Sequence, residues 1–189
     1  MPLNNNLFYI DVDAIKQKIE LLPVVAEVNV QRKLPKTILL HIKEREPALV
    51  LCVQGRFILT DVEGFYIREI EFINEYNNLL VITGIEVEQE LSLGSRVDNE
   101  LLTIAAKVFK EIWEDYGHFF AEIDFSLGEN DIILYTNEGL TVKIGSTNNL
   151  SQKMVVFEKL YLEKTKQPDF YAIEYLDISF LGLPVLKYR

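Results

Sequence analysis

The chain contains almost no cysteine and very little histidine. Its 189 residues include one Cys, Cys52, and two His, His41 and His118. A single thiol cannot form an internal disulfide, and no Cys or His stands beside these residues at the spacing of a zinc site. Glycine-rich phosphate loops and the GxSxG and HExxH patterns are also missing. The sequence therefore predicts no metal, no cofactor and no recognisable catalytic group.

Long apolar runs and an excess of positive charge are missing too. No stretch approaches the ~20 apolar residues that a membrane-spanning helix needs, and the N-terminus lacks the regions of a signal peptide. Nineteen Lys and Arg against 29 Asp and Glu give a net charge of −10, which disfavours nucleic acid. We therefore expect a soluble chain that neither spans a membrane nor binds nucleic acid.

The charge that is present is unevenly distributed. Residues 1–50 hold seven basic and six acidic residues, a net charge of +1. Residues 51–189 hold 12 basic and 23 acidic residues, a net charge of −11. Such asymmetry suggests two parts that face different partners.

The N-terminal pattern predicts a helix followed by a hairpin. Residues 11–23 have helical spacing, with Asp11 available as the N-cap and Pro23 as the stop. The apolar face of that helix consists of Val12, Ile15, Ile19 and Leu22. Residues 25–32 and 37–44 alternate between apolar and polar side chains, which is typical of strands. A helix laid over a two-stranded antiparallel sheet is the simplest way to bury these faces.

Beyond Pro47 the pattern predicts a mainly antiparallel sheet with two helices, so the fold class is α+β. The clearest helix is residues 97–117, with an apolar stripe and Gly117 as a C-terminal cap, and a second helix is predicted at 148–165. Strands are predicted at residues 48–53, 56–61, 66–70, 77–84, 121–127, 131–137, 140–145 and 172–189.

Two of these segments have the character of strands with an open side. The hairpin at 26–43 is guarded by basic residues, whereas the segment at 172–188 is apolar with little charge. The second segment is either an interior strand of the sheet or a strand that accepts a partner's strand alongside it. Ile178 and Phe180 are predicted to share one face of that strand and are the candidate anchors.

Several motifs along the chain resemble those of one bacterial family. They are "LPVVAEVNVQRKLPKTILLHIKEREPA", "FILTDVEGFYI", "GLTVKIGSTNNLSQKMVVFEKLY" and "YLDISFLGLPVLKY", in that order. In this order they resemble the extracytoplasmic region of the cell-division proteins FtsQ and DivIB. Two features of the chain depart from that family. Ser179 stands at a position where the family often has Arg. Ahead of Leu7 we do not find the family's cytoplasmic tail, its transmembrane helix, or the first strand and helix of its POTRA domain.

The resemblance implies two domains. Residues 1–47 would be a POTRA domain that lacks its first strand and helix, and residues 48–189 would be the β domain. A POTRA domain without these elements exposes an apolar sheet face and an extra edge. We therefore expect residues 1–47 to be less ordered than the remainder, or to be completed by a neighbouring chain.

The resemblance also implies a function. Such proteins are non-enzymatic scaffolds of the divisome: they bind FtsB/DivIC and FtsL on the extracytoplasmic face of the cell membrane and help to recruit and regulate septal wall synthesis. The implied partner contact is strand addition along the last strand, which falls here on Tyr175, Leu176, Ile178, Phe180, Leu183 and Val185. The POTRA hairpin, with Arg32, Pro35 and Lys36, would face other septal proteins.

Two other functions remain open at this stage. A POTRA-type outer-membrane assembly or secretion factor would also bind strands by edge pairing, although such chains usually continue into many alternating barrel segments. The plentiful carboxylates would permit an acid-pair hydrolase of the cell wall. No nucleophile and base stand in a recognisable arrangement to support such an enzyme.

Overall fold

The computed structural model describes residues 9–76 and 79–189. The predicted strand at 77–84 therefore begins with two residues that lie outside the described part. The helices are α1 (Val12–Glu20), α2 (Glu100–Tyr116) and α3 (Leu150–Lys164). The strands are β1 (Val25–Lys33), β2 (Thr37–Glu44), β3 (Leu49–Val53), β4 (Arg56–Thr60), β5 (Tyr66–Ile70), β6 (Leu80–Thr83), β7 (Phe120–Asp124), β8 (Ile132–Thr136), β9 (Thr141–Gly145), β10 (Ile173–Asp177) and β11 (Val185–Tyr188).

Helix α1 and the β1–β2 hairpin form the first unit, as the alternation predicted. Asp11 caps α1, because its carboxylate accepts hydrogen bonds from the backbone N–H groups of Asp13 and Ala14, both at 3.0 Å. The antiparallel register places apolar residues of β1 opposite apolar residues of β2. One prediction is wrong: Leu22 lies beyond the end of α1 and is 50% exposed, so it does not belong to the helix face.

The remaining strands form one nine-stranded sheet in the order β11-β10-β9-β8-β7-β6-β3-β4-β5. Five of its eight neighbouring pairs are antiparallel, and three, β10–β9, β3–β6 and β6–β7, are parallel. Together with the helix and hairpin that precede it, this arrangement confirms the predicted α+β fold with a mainly antiparallel sheet and two packed helices.

Both long helices pack against one face of the sheet, and together they form the main core. The buried residues of α2 recur at helical spacing, as do those of α3, and they lie in one cluster with residues of β3 to β10. They are Leu102, Ala105, Val108 and Ile112 from α2 and Leu150, Met154, Phe157 and Tyr161 from α3. A smaller cluster around Val50 and Leu59 lies on the opposite face, because side chains alternate along each strand.

Gly117 is the C-cap of α2, as predicted. It has a right-handed conformation (φ −56°), and its backbone N–H donates to the carbonyl oxygen of Trp113. Its role is packing: a β-carbon at this position would lie 2.6 Å from the indole ring of Trp113. A glycine is needed here because the tryptophan occupies the space that a side chain would take.

The C-terminal segment differs from its prediction. Residues 172–188 form a hairpin rather than one strand, with β10 and β11 antiparallel and residues 178–184 between them. Gly182, at φ +83°, lies in this connection. The fold thus separates the predicted contact strand into an inner strand, a loop and an outer strand.

Candidate functional site

Strand β11 forms one end of the nine-stranded sheet. It pairs with β10 on one side, and no strand of the described residues pairs with its other side. The backbone N–H of Arg189 donates to the carbonyl oxygen of Ala172 at 2.8 Å, which extends the hairpin pairing to the last residue. The outward backbone groups of β11 are therefore available for another strand.

Apolar side chains surround this edge in the loop before β11 and on the strand itself. Phe180 and Leu183 are each 75% exposed, and Val185 is 52% exposed. Leu181 and Tyr188 are 41% and 40% exposed. Scattered exposed apolar residues are ordinary, but here five of them lie within nine residues at the end of the sheet. We call residues 180–188 the C-terminal edge.

The structure separates the residues that the sequence grouped as contacts. Leu176 and Ile178 are 1% and 2% exposed and pack in the main core, so their side chains are not accessible to a partner. The prediction that Ile178 and Phe180 share a face is wrong. Strand β10 ends at Asp177, so the strict alternation of a strand does not continue through residues 178–180.

A buried lysine stabilises β9 and β10, the strands that lie beside the C-terminal edge. Lys153 of α3 is 3% exposed, and its ammonium group donates hydrogen bonds to the carbonyl oxygens of Ile144 and Ser146, both at 2.8 Å. Burial lowers the pKa of Lys153, and the nearby charge of Asp177 opposes this effect. The lysine thereby connects α3 to the end of β9, the strand that pairs with β10.

The turn after β10 is fitted closely against β9. The backbone N–H of Ile178 donates to the carbonyl oxygen of Lys143 at 2.9 Å, and that of Ser179 donates to the Asp177 carboxylate at 2.9 Å. A β-carbon on Gly145 would lie 3.0 Å from the β-carbon of Ser179. These contacts direct the chain outward from the buried Ile178 to the exposed Phe180.

The solvent side of the hairpin carries a small cationic cluster. The ammonium groups of Lys143 and Lys187 lie 4.0 and 5.5 Å from the centre of the Tyr175 ring, within the range of cation–π interaction. Lys187 also pairs with Glu174 at 2.9 Å, and this hydrogen bond and charge raise the pKa of Lys187. Tyr175 is half-buried under these side chains.

Sequence reasoning missed the outer strand's own residues. Leu186, Lys187 and Tyr188 belong to β11, yet only Val185 of that strand was predicted as a contact. The signal was present in the Gly182-Leu183-Pro184 stretch, since Gly and Pro together mark a turn between two strands. A hairpin predicted at this point would have placed Val185–Tyr188 in an outer strand of the sheet.

The predicted N-terminal contacts lie in the other sheet. Arg32 is at the end of β1, and Pro35 and Lys36 are in the turn to β2, all of them exposed. The guanidinium of Arg32 donates to the carbonyl oxygen of Ile10 at 2.6 Å, which ties the hairpin to the segment ahead of α1. Their role as contacts stays a prediction.

Neither a metal site nor a membrane-crossing helix was found in the part of the chain that the structure describes. No group of three or more His, Cys, Asp or Glu residues could hold a metal ion there. No helix within residues 9–76 and 79–189 is both long enough and apolar enough to cross a bilayer.

Comparison with known proteins identifies a class for the N-terminal part. Residues 1–45 match the family model described as "POTRA domain, FtsQ-type". In the structure this region contains α1 and the β1–β2 hairpin, and the nine-stranded sheet follows it.

Relatives match nearly the whole chain. It is 23% identical over 194 residues to "Cell division protein DivIB" of Clostridium tetani, an alignment that covers 96% of this chain and 68% of that protein. It is 26% identical over 193 residues to "Cell division protein FtsQ" of Geotalea daltonii, covering 97% of this chain and 66% of that protein. These matches confirm the resemblance to FtsQ and DivIB that the motifs indicated.

Proposed function

We propose that this chain is a non-enzymatic scaffold of the bacterial divisome that binds a partner strand along β11. The observation that carries the proposal is the open outer side of β11 with the exposed apolar residues of the C-terminal edge beside it. The similarity to proteins named cell division protein DivIB and FtsQ supplies the process. The proposed partners are proteins of the FtsB/DivIC and FtsL type, and the proposed effect is recruitment and regulation of septal wall synthesis.

Backbone pairing alone supplies only part of the affinity. A four-residue edge strand offers about four outward hydrogen bonds, each worth ~0.5–1.5 kcal/mol net. A micromolar complex needs about 8 kcal/mol. The exposed side chains of Phe180, Leu183 and Val185 are the nearest source of the remainder, because covering a large apolar side chain contributes roughly 1.5–3 kcal/mol.

The test uses the full chain and a synthetic peptide that covers the extracytoplasmic C-terminal segment of the FtsB/DivIC-type protein from the same genome. Phe180→Ala and Val185→Asp each change an exposed side chain, so the fold should persist. We expect each to weaken the peptide's Kd by about tenfold or more, which corresponds to ~1.4 kcal/mol. Isothermal titration calorimetry measures the affinity, and circular dichroism checks the fold.

Val155→Asp is the matched control, since Val155 is 59% exposed on α3 and lies outside the C-terminal edge. It should leave the affinity unchanged. If both edge variants bind like the original chain while circular dichroism stays native, β11 is not the contact. Ile178→Lys does not serve as a binding test, because it places a charge in the core and should unfold the domain.

The proposal that the chain is not an enzyme has its own test. Purified protein incubated with peptidoglycan and with lipid-linked wall precursor should release no product. Turnover that disappears on mutation of a single carboxylate would contradict the scaffold proposal and favour a hydrolase.

We further propose that residues 1–47 and 48–189 are the POTRA and β domains, on the extracytoplasmic face of the cell membrane at the septum. The separate two-stranded and nine-stranded sheets support this division.

The exposed hairpin end with Arg32, Pro35 and Lys36 is the proposed contact for other septal proteins. Combined reversal of Arg32 and Lys36 to Glu should reduce septal localisation of the full protein while leaving peptide binding at β11 intact. Normal localisation of this variant would contradict the proposed hairpin contact.

A further inference from the structure

A groove lies at the other end of the large sheet, between the β4–β5 turn and helix α2. It has a volume of about 840 Å³, within the range of ligand-sized sites. Its apolar lining includes Val97, Leu102 and Ala106, which we call the floor. We call it the α2 groove.

The walls of the α2 groove are held in place by hydrogen bonds. Asp61 accepts from the backbone N–H groups of Glu63 and Phe65, both at 2.9 Å, which shapes the turn. The Val97 N–H donates to the Gly64 carbonyl at 2.9 Å, and the Arg96 guanidinium donates to the Glu63 carbonyl at 2.9 Å. The groove is therefore pre-formed, and a ligand need not order it.

Three cations line the α2 groove. Lys107 and Lys110 lie three residues apart on α2, so both project on the same side of the helix, and Arg96 lines the same groove. None of the three forms an ion pair within the described residues. One of the two acidic residues that line the groove, Glu111, is already engaged, because its carboxylate accepts hydrogen bonds from the backbone N–H and the hydroxyl of Ser151 at 3.2 and 2.8 Å.

We infer that the α2 groove binds an acidic peptide segment of a partner protein, with one large apolar side chain on the floor. Carboxylates on either side of that side chain would face Lys107, Lys110 and Arg96. A nucleic-acid backbone or a simple phosphate does not suit the site, because either would leave the apolar floor uncovered.

This site is independent of the proposed strand addition. The groove is built on the turn between β4 and β5, and β5 is the end strand opposite to β11. A peptide in the α2 groove and a strand on β11 would therefore be bound at the same time. Loss of one contact should leave the other intact.

The experiment uses the full chain and a fluorescein-labelled peptide of alternating Glu and Ala with one central Phe. Fluorescence polarisation should give saturable binding that weakens with added salt. Combined reversal of Lys107→Glu and Lys110→Glu should weaken the Kd about tenfold or more, because both lysines become repulsive. Ala106→Trp, which fills the floor, should also abolish binding of the probe. Chemical-shift changes in the 15N-labelled chain should fall on residues 96–110.

Lys159→Glu combined with Lys166→Glu is the matched control, since these exposed lysines lie outside the groove. It should leave the Kd within about twofold. Equal loss in the control, or equal binding of a peptide in which Gly replaces the central Phe, would mean that only general charge attraction operates and would overturn the proposal. Shift changes confined to the C-terminal edge would also overturn it.

Discussion

Arg45 and Asp61 form an ion pair at 2.6 Å that joins the two sheets. Arg45 follows β2, Asp61 follows β4, and both side chains are largely buried, at 13% and 11% exposure. The guanidinium also lies over the Phe65 ring, 3.7 Å from its centre. The pair thus holds the segment that follows β2 against the segment that follows β4, at the junction of the hairpin unit and the nine-stranded sheet.

Replacing Arg45 should weaken this junction. In Arg45→Leu the Asp61 carboxylate keeps its two backbone donors but loses its cation, and we expect a loss of about 1–3 kcal/mol in the free energy of unfolding. Urea unfolding measures it. Lys43→Leu is the comparison, because its pair with Glu27 at 3.6 Å is exposed and should contribute under ~0.5 kcal/mol. Equal losses in the two variants would contradict a special role for the junction.

Lys153→Met tests the lysine beneath β9. Methionine matches most of the apolar stem but leaves the carbonyl oxygens of Ile144 and Ser146 without this donor. We expect a loss of about 2–3 kcal/mol in urea unfolding. Lys159→Met, exposed on the same helix, should change stability by less than ~0.5 kcal/mol. A neutral Lys153→Met variant would mean that the lysine does not hold the edge.

Tyr161 predicts how stability changes at high pH. Burial, assisted by a hydrogen bond to Glu138, raises the pKa of Tyr161 above its ordinary value of 10.0. The unfolded tyrosine ionises first, so its stabilising contribution is complete below pH 10 and is lost as the pH rises further. Urea midpoints between about pH 9 and pH 11 should therefore fall more steeply for the original chain than for Tyr161→Phe. Parallel curves for the two chains would contradict this assignment.

Gly84 should be among the least replaceable glycines of the described chain. It has a φ of +72°, and a β-carbon there would lie 2.1 Å from the backbone nitrogen of Ser126. We expect Gly84→Ala to cost about 3 kcal/mol or more, from both strain and overlap. Gly139→Ala has a similar φ of +81° but nothing within 4 Å, so it should cost only about 1–2 kcal/mol. Thermal unfolding of the two variants distinguishes the cost of atomic overlap from the cost of backbone strain. Similar melting temperatures would mean that the backbone near Gly84 shifts and relieves the overlap.

Much of the fold could be predicted because the local patterns were strong. Alternation in β1 and β2 predicted their shared apolar face, and helical spacing predicted α2 and α3. The C-terminal hairpin was missed because its loop is apolar: Ile178, Phe180, Leu181 and Leu183 look like a continuing strand. The pattern does not reveal which of them the core will cover.

The sites depended on contacts between distant parts of the chain. The order of the strands places β11 and β5 at the two ends of the sheet. The alternation of apolar and polar residues along a strand does not reveal which strands are its neighbours. Asp61 was seen only as part of a motif, although it both pairs with Arg45 and shapes the α2 groove. Lys153 was likewise seen only as part of a motif, and its burial follows from how α3 packs against β9.

The length of the sheet sets a distance between bound proteins. The eight spacings of about 4.8 Å between the nine strands place β11 and β5 about 38 Å apart along the sheet. A partner strand at β11 and an acidic segment near β5 could therefore come from proteins that never touch each other. In that arrangement the sheet works as a rigid spacer, and the chain would hold its two partners in a one-to-one ratio about four nanometres apart.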